Sequence, residues 1–153
     1  MTQGVSLSTR WDRQDEEILI GQIALKFLID GPASGASVTI FEMSVPAGAK
    51  VPAAHSHDAF DETIYGLEGV LTMTVSGQSI PVVPGETLFI RRETVHRFDN
   101  PFPASARVLA ILTPGVLGSS YFREIAALVQ AGAPADPAAL AAVMLRYGLT
   151  PAT

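Results

Sequence analysis

The chain has 153 residues, a net charge of −5 and no cysteine, and 48% of its residues are hydrophobic against 16% charged. These values suit a single domain; they exclude disulfides, thiolate metal sites and cysteine nucleophiles, and they argue against a nucleic-acid partner. No apolar run approaches the roughly 20 residues needed to cross a bilayer, and the polar segment 1–17 is unlike a secretory signal. We therefore expect a cytoplasmic protein without membrane contact.

Strand patterns dominate from about residue 17 to residue 114. Apolar and polar residues alternate in several short segments, and glycine- or proline-containing turns separate them. The last of these segments is almost continuously apolar, as expected for a strand that is covered on both faces. The predicted strand segments are 18–28, 36–45, 69–75, 87–90 and 108–113, with turns at 30–32, 76–78 and 84–85. Many short, closely spaced strands predict a sandwich or a barrel.

In the C-terminal tail, over about residues 119–148, the apolar residues recur with the spacing of a helix. Ser119 or Ser120 is the candidate N-cap of a first helix, which Gly132 and Pro134 end, and Asp136 caps a second. The two apolar stripes are Tyr121, Phe122, Ile125 and Val129, then Leu140, Val143, Met144 and Tyr147. Packing against the outside of the sheet is the simplest expectation for these helices. A lid over the barrel mouth and a dimer contact are the alternatives.

All three histidines of the chain fall into one pattern with a carboxylate. His55 and His57 are two residues apart, so both point to one face of a strand, and Glu62 and His96 follow. The odd offset between His57 and Glu62 predicts a turn over 58–61, after which Glu62 enters from a neighbouring strand, while His96 comes from a third. Three imidazoles and a carboxylate suit a borderline divalent metal, and a barrel interior is where such residues converge.

Glycines extend this pattern into two motifs, from Gly48 through the histidine pair to Gly69, and from Gly85 through His96 to Asn100. In this register the sequence resembles the cupin superfamily over about residues 36–114, and within it the small quercetin dioxygenase-like cupins. The resemblance implies an all-β, double-stranded β-helix (jelly-roll) barrel, here with a C-terminal pair of α-helices, in one domain spanning 1–153. It also implies that the metal ligands are His55, His57, Glu62 and His96.

The second motif departs from the family pattern at two positions. Arg91 and Glu93 stand where it usually carries proline and glycine, so these residue types do not themselves predict the tight turn before His96.

Four protein ligands leave up to two positions open on an octahedral ion, and Fe, Mn, Ni, Co and Zn are the candidate metals. Glu62 is either a permanent ligand or also the acceptor of a substrate hydroxyl proton, the role it has in the cupins that this chain resembles. Asp58 and Asp61 either hydrogen-bond the imidazoles or cap the turn between the ligands.

Strand alternation also predicts an apolar cavity wall around the metal. The candidate substrate-binding residues are Phe41, Met43, Ile64, Leu71, Met73 and Phe98. Such a wall would accept a small aromatic or enol-type molecule better than a free sugar. The sequence thus favours a metal-dependent, dioxygenase-like oxidoreductase; the alternatives are a non-catalytic binding module for a metal or small molecule, and a metal-dependent isomerase or decarboxylase. The low charge and the amphipathic helices predict a homodimer.

Overall fold

The computed structural model describes residues 17–129 and 134–152. Its helices are α1 (Ser119–Val129) and α2 (Pro137–Arg146), and a short 3-10 helix spans Gly31–Ser34. The strands are β1 (Glu17–Ile20), β2 (Ile23–Ile29), β3 (Thr39–Val45), β4 (His55–His57), β5 (Asp61–Glu68), β6 (Leu71–Val75), β7 (Gln78–Val82), β8 (Thr87–Ile90), β9 (His96–Asp99), β10 (Ala106–Thr113) and β11 (Leu149–Pro151). Most of the predicted N-terminal polar segment, and Gly132, lie outside the described residues.

The strands form two sheets. A six-stranded sheet has the order β1-β2-β3-β10-β5-β8, and a five-stranded sheet has the order β11-β4-β9-β6-β7. Alternate residues are buried in the longer central strands, as in β3, where Thr39, Phe41, Met43 and Val45 point inward. The predicted all-β barrel with two C-terminal helices is confirmed.

Three local features differ from the sequence expectation. The β-rich segment 18–28 is a hairpin and not one strand, because Gly21, at φ 58°, turns the chain between β1 and β2. The apolar strand β10 is buried on its inner face, whereas Leu109 and Ile111 on its outer face are half-buried. The three-residue strand β11 was not predicted; it pairs with β4 through Leu149 opposite His57.

The helical tail is attached to the barrel at several points. Helix α1 packs on β1, α2 packs on β11, and the two helices contact each other. The buried carboxylate of Asp30 accepts hydrogen bonds from the backbone N–H and the hydroxyl of Ser119 at the start of α1. Asp136 caps α2 as predicted, by accepting the N–H of Ala138 at 3.0 Å. Within the described ranges, neither helix is long and apolar enough to cross a membrane.

Candidate metal centre

The three histidines meet on the inner side of the five-stranded sheet. His55 lies directly opposite His96 in the antiparallel pair formed by β4 and β9. The nitrogen atoms that the three imidazoles offer as ligands all lie within 4.8 Å of one another. His57 and His96 are buried and His55 is half-buried. The two-residue spacing therefore placed His55 and His57 together, as expected for a strand.

Glu62 reaches the histidines from the opposite sheet. Its carboxylate Oε2 lies 3.3 Å from His96 Nε2 and 3.8 Å from His57 Nδ1. The prediction that Glu62 enters from a neighbouring strand is wrong, because β4 is flanked by β9 and β11, whereas Glu62 belongs to β5. Residues 58–60 carry the chain from one sheet to the other, so the carboxylate faces the imidazoles across the barrel interior.

Backbone carbonyls orient two of the imidazole rings. His55 Nδ1 lies 2.9 Å from the carbonyl oxygen of Ala53, and His96 Nδ1 lies 2.9 Å from that of Thr94. Because a carbonyl can only accept, each Nδ1 must carry a hydrogen, so in the neutral ring the lone pair available to a metal is on Nε2. Such a hydrogen bond on the far nitrogen is the usual support of a metal-binding histidine. The donor set therefore fits a divalent ion.

The charges of the centre balance each other. Burial lowers the pKa of His57 to about 3, and burial also lowers the pKa of His55, so both rings are neutral at pH 7. Burial is the largest single influence on His96 and acts in the same direction, but the hydrogen bond with Glu62, the charge of Glu62 and the hydrogen bond with Thr94 together outweigh it and raise the pKa. Burial alone would raise the pKa of Glu62; the hydrogen bond with His96 and the neighbouring imidazoles lower it instead. Metal binding requires the ionised carboxylate and three neutral imidazoles, so a divalent ion would have to displace the proton that His96 shares with Glu62.

The turn before His96 is present without the usual glycine. Glu93 takes the left-handed conformation, at φ 66°, and its N–H donates to the carbonyl of His57 at 2.7 Å. This bond ties the loop before His96 to β4. A side chain in this conformation is strained relative to glycine, so the turn is kept at a cost in conformational energy.

Among the described residues, neither Asp58 nor Asp61 hydrogen-bonds an imidazole. Asp61 binds Arg92 through the backbone N–H at 2.8 Å and through the guanidinium, and Asp58 accepts a hydrogen bond from Thr150. Asp61 therefore links the start of β5 to the loop before His96, and Asp58 links the end of β4 to β11. Neither partner lies in the turn 58–61, so the capping alternative is not seen in the described part of the chain either.

A cavity of about 720 Å³ lies between the sheets, with all four centre residues in its wall. Five of the six predicted wall residues line it: Phe41, Met43, Ile64, Met73 and Phe98. Leu71 does not, and its place in the predicted wall is corrected. It shares an inward face with Met73 but lies at the far end of β6 from His96, where it is fully buried in the core.

The helices form part of the same wall, so the tail does more than cover the outside of a sheet. Helix residues that line the cavity include Tyr121, Phe122, Ile125, Leu140 and Met144. The helical stripes were visible in the sequence, but nothing in their spacing indicated that they faced a cavity. Gln22 of the first hairpin and Lys50 of the loop before β4 also line the cavity and were missed.

These two facing sheets, with three histidines and a glutamate between them, have the architecture of the cupins. Residues 41–112 match the family described as the Cupin domain. The fold and this match identify residues 41–112 as a cupin domain.

The similarity extends to proteins with different names. Quercetin 2,3-dioxygenase of Bacillus subtilis is 36% identical over 73 residues, which are 46% of this chain and 20% of that protein. The chain thus spans about a fifth of that relative. The polyketide cyclase RemF of Streptomyces resistomycificus has a TM-score of 0.53 at 28% identity, over 61% of this chain and 66% of that one. A sugar phosphate isomerase of Silicibacter pomeroyi has a TM-score of 0.54 at 26% identity, over 61% of this chain and 60% of that one.

Proposed function

We propose that this protein is a metal-dependent oxidoreductase, dioxygenase-like in its chemistry, that acts on a small aromatic or enol-type molecule. The observation that carries the proposal is the clustering of three imidazoles and a buried carboxylate in the wall of one large, mainly apolar cavity. In the proposal His55, His57, Glu62 and His96 hold the metal. A divalent ion bound there would polarise a substrate oxygen and provide open positions for redox chemistry.

The proposed roles of the protein groups follow from their surroundings. Ala53 and Thr94 hold the rings of His55 and His96 through their carbonyls. Glu62 supplies the negative charge and, as the proposal has it, accepts the acidic O–H proton of the substrate. Its lowered pKa favours the ligand role, because a more acidic carboxyl is a weaker base.

The cavity wall distinguishes between substrate classes. Apart from the centre itself, its polar side chains among the described residues are Gln22, Lys50 and Tyr121, and the others are apolar. A sugar phosphate would leave most of its hydroxyl groups without partners in such a wall, which opposes the reaction named for the isomerase. An aromatic or enol-type compound would bury its ring against the apolar wall, and its oxygen could coordinate the metal. The dioxygenase among the relatives supports this choice.

One experiment separates this proposal from its alternatives. Metal content is measured on the purified protein, and oxygen uptake and product formation are then followed over a panel of enols and catechols. Metal-dependent oxygen consumption supports the dioxygenase. Product formed without oxygen uptake indicates the isomerase or decarboxylase, and ligand binding without any reaction indicates the non-catalytic module.

The homodimer stays a prediction. Tyr65 and Phe89, on the outer face of the six-stranded sheet, are 37% and 56% exposed, which is consistent with an apolar contact surface. Light scattering that gives the monomer mass of 16.1 kDa across micromolar concentrations would contradict it.

A further inference from the structure

One buried polar side chain of the cavity wall is not part of the metal centre. Gln22 and Lys50 are exposed, so water competes for their polar groups. Tyr121 on α1 also lines the cavity, but it is 7% exposed. It is therefore the polar wall residue, among those described, that lies outside the centre and is largely buried as a residue.

The hydroxyl of Tyr121 has no hydrogen-bond partner among the described residues. Its ring contacts those of Phe122 and Tyr147, with centroids 4.9 and 5.4 Å apart. Burial raises its pKa, and no hydrogen bond contributes to that rise. The neighbouring Tyr147 differs, because its hydroxyl donates to the carboxylate of Glu124.

A phenol hydroxyl in the cavity wall that has no partner among the described residues is available to donate to an oxygen acceptor in the cavity. The group stays protonated at neutral pH and is thus a donor. Tyr and Trp combine an apolar body with one such donor, which makes them suitable for fixing the orientation of a ring that is otherwise held by apolar contact.

We propose that Tyr121 is a substrate-binding residue that donates a hydrogen bond to an oxygen of the ligand. The ligand class is then a mainly apolar ring compound with two oxygen functions, one directed to the metal centre and one accepting from Tyr121. This inference rests on the proposed function, because it assigns the second anchor of the same cavity. It gives helix α1 a part in substrate selection.

The test uses metal-free protein and two matched probes, 1-tetralone and tetralin, which differ by one carbonyl oxygen. The dissociation constant of each probe is measured for the wild type, for Tyr121→Phe and for Tyr65→Phe, an exposed tyrosine of the outer sheet face. We expect Tyr121→Phe to weaken the preference for tetralone by about 3- to 10-fold, the scale of one net hydrogen bond. Tetralin binding should not change, and Tyr65→Phe should behave as the wild type.

A stability measurement separates a ligand-binding role from a structural one. Tyr121→Phe should unfold at the same temperature as the wild type or higher, because no partner is lost. Tyr147→Phe, which loses the bond to Glu124, should unfold at a lower temperature. An unchanged tetralone preference in Tyr121→Phe, or a clear fall in its unfolding temperature, overturns the inference.

The inference about Tyr121 is also contradicted if neither tetralone nor tetralin binds the wild type. The proposed function is judged independently by titration with Mn²⁺, Ni²⁺ and Zn²⁺, in which Tyr121→Phe should match the wild type. If the wild type binds none of these ions, the proposed function fails, while the tetralone preference still decides the role of Tyr121.

Discussion

The barrel and the helical tail line the same cavity with different chemistry. Each of the four centre residues comes from β4, β5 or β9, within the family match that ends at residue 112. The described cavity residues of α1 and α2 lie beyond that match and are apolar, except for Tyr121. We propose from this difference that the barrel supplies the metal-binding residues and the tail supplies substrate selection. We propose that the two form one domain, since the tail completes both the cavity and the five-stranded sheet.

The largest effect on metal binding should come from replacing a histidine of the barrel. His57→Ala and His96→Ala should fold but lose most of their bound metal, with affinity at least ~100-fold lower, because a preformed barrel carries the centre. Metal analysis and circular dichroism measure the two effects. Met144→Ala, on the tail side of the cavity, is the control and should keep full stoichiometry. Full stoichiometry in both histidine variants would remove them from the ligand set.

Glu62→Gln tests whether chemistry can be separated from metal retention. Three histidines can still hold a borderline metal, so we expect much of the ion to remain while turnover falls at least ~10²-fold, the scale of losing a general base. Oxygen uptake and metal content are measured on the same preparation. Glu68→Gln makes the same change at an exposed position of β5 and should be silent. A fully active Glu62→Gln enzyme would exclude the residue from the mechanism; complete metal loss would identify it as a ligand first.

Sequence reasoning was most successful where spacing alone determines geometry. The period of two placed His55 and His57 on one face, and the alternation of β3 identified Phe41 and Met43 as wall residues. Sequence reasoning was wrong where the path of the chain through a turn determines which sheet the next residue joins. Residues 58–60 switch sheets, which no spacing rule between His57 and Glu62 encodes.

The tail shows a second limit. An apolar stripe such as that around Tyr121 identifies a buried face of a helix, but it does not identify what covers that face. Strand β11 is too short, at three residues, to show a period at all. Both the cavity-lining role of the helices and the partner of β4 therefore depended on tertiary structure.

Acid should destabilise the metal-free barrel through its buried imidazoles. The pKa of His57 is about 3 in the folded protein against 6.5 as the ordinary value, so the ring must stay neutral in the fold. Its contribution is present above pH 6.5 and is lost as the pH falls towards 3. Between pH 7 and pH 4.5 the His57 ring alone should lower the free energy of unfolding by about 2–3 kcal/mol, and the raised pKa of His96 acts in the opposite direction. Urea titrations should show a shallower pH dependence for His57→Gln, and an identical dependence would contradict this account.

Equal truncations on the two sides of the cavity should have unequal costs. Met73 of β6 is 1% exposed and lies between its partners Ile80 and Phe98, whereas Met144 of α2 is 9% exposed. Met73→Ala should lower the free energy of unfolding by about 3 kcal/mol and Met144→Ala by about 1–2 kcal/mol, because the barrel is the more closely packed side. Denaturant unfolding measures both. Equal losses would show that the tail is packed as firmly as the barrel.

The pairing of β11 with β4 affects the order in which the centre can be completed during synthesis. Strand β4, which carries two of the three histidines, has β9 and β11 as its neighbours, and β11 begins at Leu149. At translation rates of about 5–20 residues per second, β4 precedes this partner by on the order of ten seconds. A nascent chain therefore carries His55 and His57 on an incompletely paired strand. Under the proposed function, metal binding at full affinity would then follow translation of the tail.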